Sequence, residues 1–135
     1  MDKRRPIGRT VAELRRFFEC LSAARFCFDV EHARQIDPTM IEASLLLAVF
    51  GDRLAQMHMS EVNTASRHEP ISLNAVVAFN AIAGSISNEI PIILKSLLDQ
   101  SQSSIAFELM RAREALAPVA VCASRSEIPR LKAES

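Results

Sequence analysis

DPTMIEASLLLAVFGDRLAQM, residues Asp37 to Met57, is the stretch on which the fold turns. Asp37-Pro38-Thr39 offers a helix start: proline has the fixed φ of a first turn, and Thr39 with Glu42 fits a capping box. Met40, Ala43, Leu47, Phe50, Leu54 and Met57 then recur at the three-and-four spacing of one helical face. Ile41, Leu45, Leu46 and Val49 widen that face until little polar surface remains between residues 43 and 50. Burying one large aliphatic side chain is worth about 1.5–3 kcal/mol, so a rod this apolar is expected to be covered by other helices on nearly every side. Asp52, Arg53 and Gln56 interrupt it too soon for a bilayer span.

Working outward, 135 residues and 49% apolar composition suit one domain with a real core. Three glycines, no tryptophan and no tyrosine leave little material for β-turns or stacking platforms, which favours helices. The sixteen basic and sixteen acidic residues cancel but are unevenly placed: residues 1–16 carry +4, residues 17–110 carry −6, and residues 111–135 carry +2. An acidic centre speaks against strong nonspecific affinity for nucleic acid. Cys20, Cys27 and Cys122 form no paired framework and no apolar leader opens the chain, so a reducing cytoplasm is the expected setting.

Residues 1–9, with Arg4 and Arg5, read as a basic flexible arm, either solvated or reaching for an acidic partner. Thr10 caps a helix expected to run to about Gln35, with Val11, Leu14, Phe17 or Phe18, Leu21, Ala24 and Phe28 inward and Arg15 and Arg16 on other faces. From Met59 to Ile71 the pattern stops and a loop is expected. His58 and His68 have the right chemistry for proton transfer, but nothing in the sequence positions a partner beside them, so surface or helix-end histidines are the plainer reading. Ser72 caps a third helix that ends at Gly84. A fourth, with Ile90, Ile93, Leu94, Leu97 and Leu98 as its stripe, starts at Pro91 because proline disfavours helical geometry at Ile90. Ile105, Leu109, Ala112 and Leu116 mark a fifth, stopped by Pro118.

Ile86-Ser87-Asn88-Glu89-Ile90 followed by Leu94-Lys95-Ser96-Leu97, with ISLNAVVAFNAIAG before it, resembles the helix-turn-helix core of bacterial winged-helix transcription regulators. The resemblance covers residues 71–105. It implies a recognition helix that turns Ser87 and Asn88 toward base edges, with Lys95 as its one basic residue.

Other chemistry is sparse. Gly8, Gly51 and Gly84 are isolated, so no dinucleotide fingerprint or phosphate-cradling loop can be built. Cys27, Asp29, Glu31 and His32 are a conceivable metal cluster, but their spacing matches no known ligand pattern and a helix would point them apart. The expectation is therefore an all-α single compact domain of about five helices over residues 10–123, with a helix-turn-helix unit at 72–100 and a flexible tail at 124–135. Its expected function is non-enzymatic transcription regulation, with no cofactor and no metal. It would be a cytoplasmic homodimer that meets DNA or a protein through Arg4, Arg5, Arg15, Arg16, Ser87, Asn88 and Lys95. The alternative is a helical protein–protein interaction or dimerisation domain that binds no DNA.

Overall fold

A computed structural model describes residues 10–117. In chain order these form α1 (Val11–Cys20), β1 (Phe26–Asp29), α2 (Val30–Ile36), α3 (Ile41–Phe50), β2 (Leu54–Met59), β3 (Glu61–Val62), β4 (His68–Glu69), α4 (Leu73–Asn80), β5 (Ile92–Leu94) and α5 (Gln102–Leu116). The all-α expectation is overturned. β1, β2 and β5 make a parallel sheet in that order, and β3 and β4 make an antiparallel hairpin.

The central stretch shows why. A helix does start nearby, at Ile41, but without the expected capping box: Asp37 Oδ2 accepts the Glu42 amide at 2.9 Å and its Oδ1 the Thr39 amide at 3.0 Å, while the Glu42 carboxylate accepts the Val11 amide instead. Met40, at φ 60°, takes a left-handed turn between Thr39 and Ile41. The helix then lasts only to Phe50. It buries Ala43, Leu46, Leu47 and Phe50 but leaves Ile41, Leu45 and Val49 at 62%, 50% and 43% exposure, so one face is covered and the other is open. Gly51 to Arg53 form a tight 3₁₀ turn, and LAQMHM continues as a strand. Its Met57 and Met59 are fully buried while Gln56 and His58 are half-buried on the alternate positions, the period of two that a strand imposes.

The first predicted helix is likewise split. α1 ends at Cys20, and Phe26 to Asp29 pair in parallel with β2, Phe28 opposite Met57 and Asp29 opposite His58. Arg53 ties this junction, donating to the Ser22 carbonyl at 2.9 Å with its guanidinium 4.7 Å over the Phe18 ring. Where the resemblance places a recognition helix, Ile92 to Leu94 form β5, with His58 opposite Ile93. Pro91 and the two β-branched residues after it favour extended backbone. No helix-turn-helix unit forms at 72–100, so the expected transcription-regulation and DNA-binding role finds no recognition helix among the described residues to support it.

α4 and α5 lie where the sequence puts helices, capped by Ser72 and Ser101. They are tied by the buried Glu108 of α5, whose carboxylate accepts the Ile71 amide at 3.1 and 3.2 Å and the Ser96 hydroxyl.

Strand order follows chain order, the arrangement in which crossovers of the usual right hand set their helices on one side of a sheet. Phe28, Met57 and Met59 are buried on that side, with Ile92 and Leu94 packed against the same core. The opposite side presents Cys27, Asp29, Gln56, His58 and Ile93, all at least partly exposed. No helix among the described residues is long and apolar enough to cross a membrane. The arm at 1–9 and the tail at 124–135 lie outside the described residues.

Candidate functional site

The carboxyl ends of the three parallel strands meet at one end of the sheet, which is where α/β proteins place their ligands. β1 delivers Asp29 there, and the chain turns at once into α2, which adds Glu31 and His32. β2 delivers His58 and, one residue past its end, the fully buried Ser60. The β3–β4 hairpin returns His68 to the same place. Its tip is set by Asn63, whose Oδ1 accepts the Ala65 and Arg67 amides at 2.9 and 3.1 Å. Lys95 follows β5 directly, and its own amide donates to the Met59 carbonyl at 2.9 Å, which fixes the backbone from which the side chain reaches in.

The side chains form one network. Lys95 Nζ lies 2.7 Å from Asp29 Oδ2 and 3.2 Å from Glu31 Oε1. Around Asp29 Oδ2 stand His58 Nδ1 at 3.7 Å and His32 Nε2 at 3.9 Å. Glu31 Oε1 accepts the Ser60 hydroxyl at 3.1 Å and has His68 Nδ1 at 3.6 Å. Glu31 is 2% exposed, yet its Oε2 has no hydrogen-bond partner, and neither does Asp29 Oδ1. Ligand-capable atoms of Asp29, Glu31 and His32 all lie within 4.8 Å of one another.

Two histidine orientations follow from their neighbours. Gln35 Oε1 lies 3.2 Å from His32 Nδ1, which sets the ring with its Nε2 edge toward Asp29. Gln56 Nε2 donates to His58 Nε2 at 3.0 Å, which leaves the His58 proton on Nδ1, toward Asp29.

No family of proteins, no curated protein and no solved structure matches this chain. The site is therefore read from its own chemistry.

Burial and the adjacent Asp29 carboxylate push the Glu31 carboxyl up to about 7. Burial acts on Asp29 in the same sense, but hydrogen bonds with Glu31 and Lys95 and the nearness of His32 outweigh it and hold Asp29 below the usual carboxylate range. Burial lowers Lys95 and the two carboxylates more than reverse that, so its ammonium is held above the usual lysine range. Partial burial and the Lys95 charge push His68 below the usual imidazole range. The arrangement therefore holds a firm carboxylate, a carboxyl poised near neutrality, a fixed cation and an imidazole that stays neutral at neutral pH.

Of the contact residues expected from the sequence, only Lys95 belongs to this cluster. Arg15 and Arg16 are exposed on α1, Ser87 and Asn88 are exposed in the turn before β5, and Arg4 and Arg5 lie outside the described residues. Asp29, Glu31 and His32 were recognisable as a conceivable ligand set, and a continuous helix would have scattered them. The strand-to-helix switch at Asp29–Val30 instead brings them together. His58, Ser60 and His68 arrive from β2 and the hairpin, with no local spacing to announce them. Cys27 stays exposed on β1, next to Gln56.

A separate groove of about 290 Å³ between β5 and α5 is lined by Ile92, Leu94, Leu109 and Leu116. It lies on the helix-covered side of the sheet and is mainly apolar, with Arg113 also in its wall, and none of the cluster residues lines it.

Proposed function

We propose that the chain carries a divalent-cation site at the carboxyl ends of its parallel strands and there performs proton-transfer or hydrolytic chemistry on a small oxygen-bearing substrate. The observation that carries this reading is the convergence of Asp29, Glu31 and His32, with ligand atoms within 4.8 Å, at the strand ends. A nitrogen and carboxylate donor set suits Zn²⁺ or Mn²⁺ better than Ca²⁺. A cation held there would polarise a substrate oxygen or a bound water.

The chain's own groups supply the rest. Asp29 stays ionised and offers negative charge to a cation. His32 presents Nε2, oriented by Gln35. His58, held by Gln56, has its Nδ1 proton at the cluster and can donate it. His68 is neutral at neutral pH and can accept a proton, and Ser60, 2.9 Å from its Nδ1, links it to Glu31. The side of the sheet that the described helices leave uncovered, with Gln56, Cys27 and Ile93, offers a short mixed surface suited to a small molecule.

Calorimetric titration with MnCl₂ and ZnCl₂ tests the reading. Saturable one-site binding that weakens at least about tenfold in both Asp29→Asn and His32→Ala is the expected result. Absence of saturable binding by the wild-type chain, or binding untouched by both substitutions, overturns it.

A further inference from the structure

The one group in this cluster that cannot ligate a cation is also the one that lies between the two carboxylates. Lys95 Nζ is 2.7 Å from Asp29 Oδ2 and 3.2 Å from Glu31 Oε1, distances at which an ammonium occupies the space a cation would need. Resting on the ligand set proposed above, we infer that Lys95 is a built-in occupant of the cation site: its ammonium holds Asp29 and Glu31 together when no metal is bound and must withdraw for a divalent cation to enter.

Three observations carry this. One ammonium faces two carboxyl groups, and Asp29 Oδ1 and Glu31 Oε2 are each without a hydrogen-bond partner. Glu31 is 2% exposed, so it is committed to the interior and cannot turn to water for a substitute. Lys95 differs in this respect. Its backbone is pinned to Met59, but its side chain is a flexible four-carbon stem that retains 23% exposure, so the ammonium can leave toward solvent without disturbing β5. Glu31 is held in the interior, whereas the Lys95 ammonium stands at the end of a long stem that reaches solvent. That asymmetry is what an exchangeable occupant requires and what a permanent structural ion pair does not.

The inference makes Lys95 a specificity-determining residue: the site accepts only a cation that binds two carboxylates and an imidazole tightly enough to displace an internal ammonium. Monovalent cations and weakly held Mg²⁺ fall below that threshold. Transition-metal dications exceed it.

Titration of MnCl₂ and ZnCl₂ into wild type, Lys95→Met, Lys95→Gln and Lys95→Arg is the test, with folding of each variant confirmed by circular dichroism. Met keeps the stem without the charge, Gln keeps a donor without the charge, and Arg keeps the charge. Met and Gln variants are expected to bind Mn²⁺ at least about tenfold more tightly than wild type, and the Arg variant no more tightly. If one neutral variant fails to fold, the other carries the comparison. Wild-type binding with neutral variants no tighter than wild type overturns the role of Lys95 and leaves the cation site standing. Binding by the neutral variants alone supports the role of Lys95 and removes the cation from the wild-type function. No binding by any of the four overturns both.

Discussion

Glu31 is a carboxylic acid with almost no access to water and with Asp29, Ser60, His68 and Lys95 around it. Its folded value of about 7 lies above the ordinary 4.5, so the folded chain keeps a proton that the unfolded chain releases. This preference favours folding fully below about pH 4.5 and is lost as pH rises to 7. Its size is on the order of 3 to 4 kcal/mol, at ~1.4 kcal/mol per pH unit. Asp29 acts the other way and lower down: with its folded value depressed below 3.8, it contributes stability above that pH and loses it on further acidification. Urea denaturation at pH 5 and pH 7.5 should therefore show wild type less stable at the higher pH. Glu31→Gln should flatten that difference, and an unchanged slope in the variant would place the titration elsewhere.

At the scale of elements, α3 separates two readings of the same stretch. A rod jacketed on all sides would tolerate a charge at neither Leu45 nor Leu47. The fold buries Leu47 to 3% exposure and leaves Leu45 at 50%. Leu47→Asp is expected to cost more than about 3 kcal/mol, because an unpaired carboxylate enters the core, while Leu45→Asp should stay within about 1 kcal/mol of wild type. Chemical denaturation midpoints of the two variants check this directly. The α4–α5 pair rests on a different device. Glu108→Ala removes the acceptor for the Ile71 amide and the Ser96 hydroxyl inside the protein, and should cost about 2–4 kcal/mol, read from the same midpoints. A shift under about 0.5 kcal/mol would mean that those donors find other partners.

These elements also show what the sequence makes legible. α5 and α4 carry regular stripes and good caps, and the sequence reading places both, within a few residues. The strands escape it because they are short. Phe26 to Asp29 lie between two helical segments, so their apolar residues fall into a three-and-four pattern by accident. β2 does carry an audible signal: from Gln56 to Met59, polar and apolar residues alternate. The apolar run before it, helical in the first ten residues, swamps that alternation. β5 has its cue in Pro91 and two isoleucines, which an amphipathic reading absorbs into a stripe. The site follows the strands. Asp29, Glu31 and His32 are adjacent in sequence, but their convergence with His58, His68 and Lys95 depends on the parallel pairing, which no local window contains.

Across the whole molecule, cation binding and folding should be coupled. A ligand that binds only the folded chain, at about a hundred times its Kd, adds about 2.7 kcal/mol of stability, on the order of 10 °C in Tm for a domain of this size. Thermal unfolding with and without MnCl₂ should show that rise in wild type and lose it in Asp29→Asn. An equal rise in both would locate the cation at another place.

β2 alone has both of its sides paired, to β1 and to β5, whereas each outer strand is bonded along one side within this sheet. In deuterium oxide the amides of the middle strand should accordingly be the last to trade their protons, and those of the two rims the first. His58 then sits on the slowest part of this sheet, with Asp29 and Lys95 on its faster margins. Breathing at those margins would open the ion pair between residues 29 and 95 while leaving the histidine in place.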